Sequence, residues 1–214
     1  MKKETKKTFY IGLCMLAVFV LWTIIICFVD VKAVGPNGSA VGLAAINQFV
    51  HKLTGVHMVL YNLTDWLGLV PLVTVLCFAL TGLVQWVKRK RLIQVDRAIF
   101  LLGGFYLVVM TIYVFFEIFI VNYRPVLINE MLEASYPSST TMLVLCVMPT
   151  AAIELNDRIK QRWLRQCSIA VIILFTAFMV ISRLISGVHW FTDILGGILL
   201  SAGLVLIYHS TRFR

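Results

Sequence analysis

The sequence predicts an all-α, polytopic membrane protein, with six transmembrane helices in one bundle and both termini on the cytoplasmic side. Three observations predict it. Hydrophobic residues make up 60% of the 214 and charged residues only 14%, unlike any soluble domain. The apolar residues fall into six runs, at about 9–29, 66–87, 99–121, 138–155, 167–185 and 191–208. At about 1.5 Å of rise per residue, about 20 residues cross a hydrocarbon core of about 30 Å. Finally, the basic residues alternate in density between the runs. With the N-terminus inside, the inner segments hold fifteen of the nineteen Lys and Arg residues. Positive residues favour the cytoplasmic side. The same clustering explains the net charge of +9 as a topology signal, so no nucleic-acid partner is expected.

Residues 1–7 carry Lys2, Lys3, Lys6 and Lys7. The apolar run that follows is too long for a signal-peptide core. Despite the Val31-x-Ala33 pair, it reads as an uncleaved first helix. Gly35-Pro36-Asn37-Gly38 predicts a turn. Residues 40–63 combine helical apolar spacing with His51, Lys52, His57 and Asn62, which predicts one or two helices lying at the outer interface. Both histidines read as surface residues.

The second run ends in Lys88-Arg89-Lys90-Arg91, a cytoplasmic anchor, and the third at Asn122-Tyr123-Arg124-Pro125. Glu130 and Glu133 read as solvated loop charges. Pro149 predicts a kink in the fourth helix. Gly196 and Gly197 in the sixth permit close packing. Trp66 and Trp190 fall near the outer boundary and Trp86 and Trp163 near the inner one, as interfacial belt residues. The five cysteines are odd in number, lie in or beside apolar runs and include no Cys-x-x-Cys. They read as packing residues rather than disulfide partners or metal ligands.

The stretch Ser182 to Asp193 joins the fifth and sixth runs. It holds an arginine, a histidine and an aspartate, the types a bilayer tolerates least. His189 and Asp193 are four apart and share a helix face. A carboxylate there can fix the imidazole tautomer and leave the second nitrogen free as base or nucleophile. Gly187 permits a sharp turn that returns the Arg183 fork towards the histidine. A planar guanidinium beside an imidazole suits phosphoryl transfer. The predicted topology puts Arg124, the serine-rich turn and this stretch on the same outer face.

These residues resemble the type-2 phosphatidic acid phosphatase superfamily, the integral-membrane lipid phosphatases. Its third motif, Ser-Arg, five residues, His, three residues, Asp, is matched by Ser182, Arg183, His189 and Asp193. Its first, Lys, six residues, Arg-Pro, is matched at Arg124-Pro125, with Glu117 in place of the lysine. Its second, Pro-Ser-Gly-His, is matched at Pro137-Ser138, with Ser139 for glycine and Thr140 for histidine. The resemblance covers about Glu117 to the end. It implies one membrane-embedded phosphatase domain over residues 1–214, acting on a lipid phosphate at the outer leaflet of a bacterial plasma membrane, without metal or other cofactor. Undecaprenyl pyrophosphate, phosphatidylglycerol phosphate and phosphatidic acid are the implied substrate class. By the same resemblance His189 is the nucleophile, Asp193 orients it, Arg124 and Arg183 clamp the phosphate, and Ser138 and Ser139 add hydrogen bonds.

Two departures shape the expectations. A threonine hydroxyl is a poor acid near neutral pH, so Thr140 does not replace a histidine that protonates the leaving oxygen. An alkoxide, whose analogue water has a pKa of about 15.7, suffers most. A phosphate leaving group, with a second pKa of about 6, needs little help. Three readings stay open: a change introduced to silence or trap the enzyme, a natural restriction to diphosphates, or a pseudo-enzyme that binds or transports lipid phosphates without chemistry. The intact Arg183, His189 and Asp193 favour the first. Glu117 lies seven residues, two helical turns, before Arg124. That places both on one face if the helix continues, and predicts a Glu117–Arg124 ion pair.

Overall fold

The computed structural model describes residues 3–213, so the topology charges Lys2 and Arg214 lie outside the described residues. Eight α-helices are present among them: α1 (Lys3–Phe28), α2 (Ala44–Thr54), α3 (Met58–Leu67), α4 (Leu69–Arg89), α5 (Arg97–Ile118), α6 (Ser139–Arg158), α7 (Arg162–Ile185) and α8 (Phe191–Arg212). A short antiparallel ribbon pairs Lys32–Ala33 with Ala40–Val41. Six stretches are long and apolar enough to cross a membrane: Glu4–Phe28, Met58–Arg89, Arg97–Ile118, Ser139–Arg158, Arg162–Ile185 and Phe191–Arg212. The all-α, six-span expectation holds.

Several boundaries differ from the expected ones, and two of the shifts have a plain physical reason. The second span starts at Met58 rather than near residue 66, because α3 and α4 follow one another across Gly68. Asn62 and Asp65 interrupt the apolar run, but a polar side chain does not interrupt backbone hydrogen bonding. The third span stops at Ile118, since Phe119 leaves helical geometry at φ −98, ψ 84.

The inner helices are α6 and α8, half of whose apolar windows are buried within the protein; the other four spans bury 22% or less and present their apolar sides outward. Helix α8 packs against α1 along a seam where Gly12 faces Gly203. At Gly196 a Cβ would sit 2.5 Å from the Tyr136 ring. Its absence lets the segment before α6 lie directly on α8, where the Tyr136 hydroxyl meets Thr23 Oγ1 at 2.7 Å. Cys146 is buried in this core and no cysteine is paired.

Candidate active site

The C-terminal ends of α5 and α7 and the N-terminal ends of α6 and α8 share one end of the bundle. His189 lies there, on the joint between α7 and α8. Gly187 makes the joint possible. Its φ is +66, and a Cβ would lie 1.8 Å from the Gly55 carbonyl oxygen, so glycine alone fits. The Ser186 carbonyl then accepts from the His57 N–H at 2.9 Å.

The chain re-enters helix with Asp193 in the first turn of α8. The Asp193 carboxylate is fully buried and surrounded by donors. Oδ2 accepts from the Trp190 N–H at 2.9 Å; Oδ1 accepts from Asn122 Nδ2 at 3.3 Å and Thr192 Oγ1 at 3.5 Å. His189 precedes α8, which begins at Phe191, so the expected shared helix face is not what joins it to Asp193; Nδ1 and Oδ2 are 3.9 Å apart, too far for a hydrogen bond. Ser135 fills the gap. Its hydroxyl lies 3.1 Å from His189 Nδ1 and donates to Asp193 Oδ2. With that proton committed to the carboxylate, Ser135 Oγ accepts from Nδ1–H. Nε2 is left with its lone pair, 3.4 Å from Arg124 Nη1. Only 3% of His189 is exposed. Burial pushes its pKa down to about 4, against the pull of Asp193, so the free imidazole is neutral near pH 7.

Arg124 reaches the histidine from the loop between α5 and α6. Its N–H donates to the Glu133 carbonyl at 3.1 Å, and its side-chain Nε lies 3.0 Å from Glu133 Oε2. The ion pair expected with Glu117 is therefore corrected: Glu133, expected to be solvated, is the partner. Glu117 is exposed and borders a crevice with Tyr113, Ser135 and Ser139. The same-face argument failed because α5 ends at Ile118, so no helical register links residues 117 and 124.

Arg183 is 1% exposed. Nη1 donates to the Tyr61 carbonyl at 3.4 Å and Thr64 Oγ1 at 3.3 Å; Nη2 donates to Asp65 Oδ1 at 3.1 Å and Thr140 Oγ1 at 2.5 Å. The Tyr61 ring lies beneath both guanidinium groups, 4.8 Å from the Arg183 carbon and 5.7 Å from that of Arg124. An aromatic face there attracts both cations.

The serine turn is used differently from the expectation. The Ser138 N–H donates to the Asp193 carbonyl at 3.1 Å, and its side chain caps α6 by accepting from the Thr141 N–H at 3.5 Å. Both groups are thus engaged in positioning α6 and α8. Ser139 and Thr140 open the helix and border, with Asp65, a cavity of about 340 Å³ whose remaining walls include Leu69, Leu72, Val109, Met110 and Leu143.

The structure therefore brings together Arg124, His189 and Asp193, with Arg183 and Thr140 in direct contact nearby. Glu117 stands apart. Ser135, Tyr61, Asp65, Asn122 and Glu133 were missed. Each is polar and sits beside a recognised residue only through the fold. Trp190 is also corrected from a belt residue to a buried one: it is 3% exposed, with Nε1 donating to the Tyr123 carbonyl at 2.7 Å. His51, expected at the surface, packs its ring 5.5 Å from that of Trp190.

A membrane bundle carrying an imidazole and two guanidinium groups at one end defines an anion-handling class of membrane protein. The sequence places it within that class: residues 72–214 match the PAP2 superfamily, and the chain belongs to that family. A solved structure of the first transmembrane PAP2-type phosphatidylglycerolphosphate phosphatase from Bacillus subtilis shares its fold, with a TM-score of 0.57, 21% identity and 94% of each chain covered. Among curated proteins none matches significantly.

Proposed function

We propose that the protein is a membrane lipid phosphatase that transfers a phosphoryl group to His189 and then to water. The observation that carries the reading is the buried imidazole whose Nε2 faces a guanidinium, 3.4 Å from Arg124 Nη1. The resemblance of the motifs and membership of the PAP2 superfamily agree with it.

In the first step Nε2 attacks phosphorus, and the bond from phosphorus to the leaving oxygen breaks, its electrons going to that oxygen. The proton on Nδ1 stays bound to Ser135, and the Asp193 charge behind Ser135 stabilises the positive ring. Arg124 and Arg183 hold the non-bridging oxygens, where charge accumulates. Water then attacks phosphorus, the P–N bond breaks, and phosphate leaves with the imidazole restored.

Thr140 decides the substrate class. Its oxygen accepts from Arg183 at 2.5 Å, and its own proton is free to donate a hydrogen bond without being acidic. Being bound into the arginine shell supports a site that works in this form on leaving groups needing no proton. We infer a preference for lipid diphosphates such as undecaprenyl pyrophosphate over the monoesters phosphatidylglycerol phosphate and phosphatidic acid. The site then faces the extracytoplasmic leaflet, as the basic inner loops suggest.

The test is phosphate release by the purified chain and its Thr140→His variant from a lipid diphosphate and a lipid monoester. The expected result is release from the diphosphate by both, and a gain on the monoester of about 100-fold in the variant. Absence of release from every substrate by both chains, with phosphate still bound, favours the second reading: a lipid-phosphate-binding or transport protein without turnover.

A further inference from the structure

The first-turn threonine is one of four acceptors that surround Arg183, and their count has a consequence. The two terminal nitrogens of a guanidinium carry four hydrogens. All four have an acceptor here: the Tyr61 carbonyl, Thr64 Oγ1, Asp65 Oδ1 and Thr140 Oγ1. Only Nε is without one, and it is buried. An arginine expected to grip phosphate thus has almost all its donors in use before phosphate arrives.

The four acceptors are not alike. Three are neutral, and Thr64 is fully buried. Asp65 alone is charged, and 61% of its side chain is exposed. It can rotate into the cavity it borders without disturbing α3. Its carboxylate also sits on Nη2, which shares one edge of the planar group with the unpartnered Nε. A carboxylate and a phosphate use such an edge in the same way.

Resting on the proposed phosphatase reading, we infer that Asp65 is a positioning residue that acts as an internal anion. It holds Arg183 in place while the site is empty and competes with the phosphoryl group for the same guanidinium edge. The incoming phosphate takes Nε–H and displaces Asp65 from Nη2. When phosphate leaves, Asp65 returns and assists the departure. No bond is made or broken in this exchange. A residue that merely stabilised Arg183 would have the opposite effect on removal, since loosening the arginine weakens phosphate binding.

The experiment measures binding of inorganic phosphate and orthovanadate to the full chain in detergent by calorimetry, for the unsubstituted protein and for Asp65→Asn and Asp65→Glu. Asn keeps the shape and an acceptor for Nη2 but removes the competing charge. Repulsion between two nearby anions under solvent screening is worth a few-fold to tenfold in affinity. The expected result is about three- to tenfold tighter phosphate and vanadate binding in Asp65→Asn, with Asp65→Glu close to the parent. On a substrate that is turned over, KM falls by the same factor while kcat does not rise, because product leaves more slowly. Equal or weaker binding in Asp65→Asn, with the parent binding normally, overturns this inference and leaves the phosphatase reading standing. Failure of all three chains to bind either anion overturns both.

Discussion

The two ends of the bundle are each rich in charge, and they treat it differently. At the end opposite the site, Glu154 is fully buried and met by three donors. It accepts from Arg212 Nε at 2.8 Å, Arg158 Nη2 at 3.2 Å and the Tyr208 hydroxyl at 2.8 Å. Arg212 Nη2 goes on to Asp157, and the same Arg158 Nη2 also donates to Asp96. Three carboxylates thus serve two arginines. At the site end two buried arginines meet partly exposed carboxylates, Glu133 and Asp65. Arg183 keeps a buried Nε without a partner, and the Nε2 edge of His189 faces the Arg124 cation. A closed set of partners locks helices together. An open one, with donors in reserve, is arranged for a ligand that brings its own negative charge.

The contrast can be broken from either side. Glu154→Ala leaves Arg158 and Arg212 without their shared partner. The expected cost is about 3 kcal/mol, towards the lower end for a broken buried pair because both arginines reach water. It is read as a lower melting temperature in detergent, with phosphate affinity unchanged. If phosphate affinity drops as well, the two ends are coupled and the contrast fails.

Ser135→Ala tests the site end. It removes the link between His189 and Asp193 across their 3.9 Å gap. The expected outcome is a fall in kcat of about 10- to 100-fold, the usual cost of losing a hydrogen bond that orients a working imidazole, with KM and melting temperature nearly unchanged. Full activity would mean that Asp193 acts on the imidazole directly.

The smallest expected effect concerns pH. Because burial depresses the His189 pKa to about 4, kcat/KM should show no acid limb at the ordinary histidine value near 6.5 and should fall only as pH approaches 4. The stability effect has the matching sign. Above pH 6.5 neither state holds the proton. Below it the unfolded chain takes up a proton that the folded site refuses, so stability falls with pH between about 6.5 and 4. Melting temperatures measured across that range for the parent and His189→Asn should diverge only below 6.5.

How much was legible from the sequence depended on chain distance. His189 and Asp193 could be paired from their closeness in the chain, although the joint before α8 rather than a shared helix turn brings them together. The mediation by Ser135 could not, because it comes from a loop 54 residues earlier. Arg183 was recognised, yet its partners on α3 lie more than 100 positions away. Glu117 was misassigned because a helical register was extended past the point where the helix ends.

By itself the sequence determined the class of this protein. Six apolar runs bounded by basic segments admit only a helical bundle in a bilayer, since an unpaired backbone cannot lie in hydrocarbon. It also placed the histidine, the aspartate and both arginines towards one end. Only the tertiary structure decided which partners those groups hold. Hydrogen bonds act over about 3 Å, a scale set by how α3, α6 and α8 pack together rather than by any pattern along the chain.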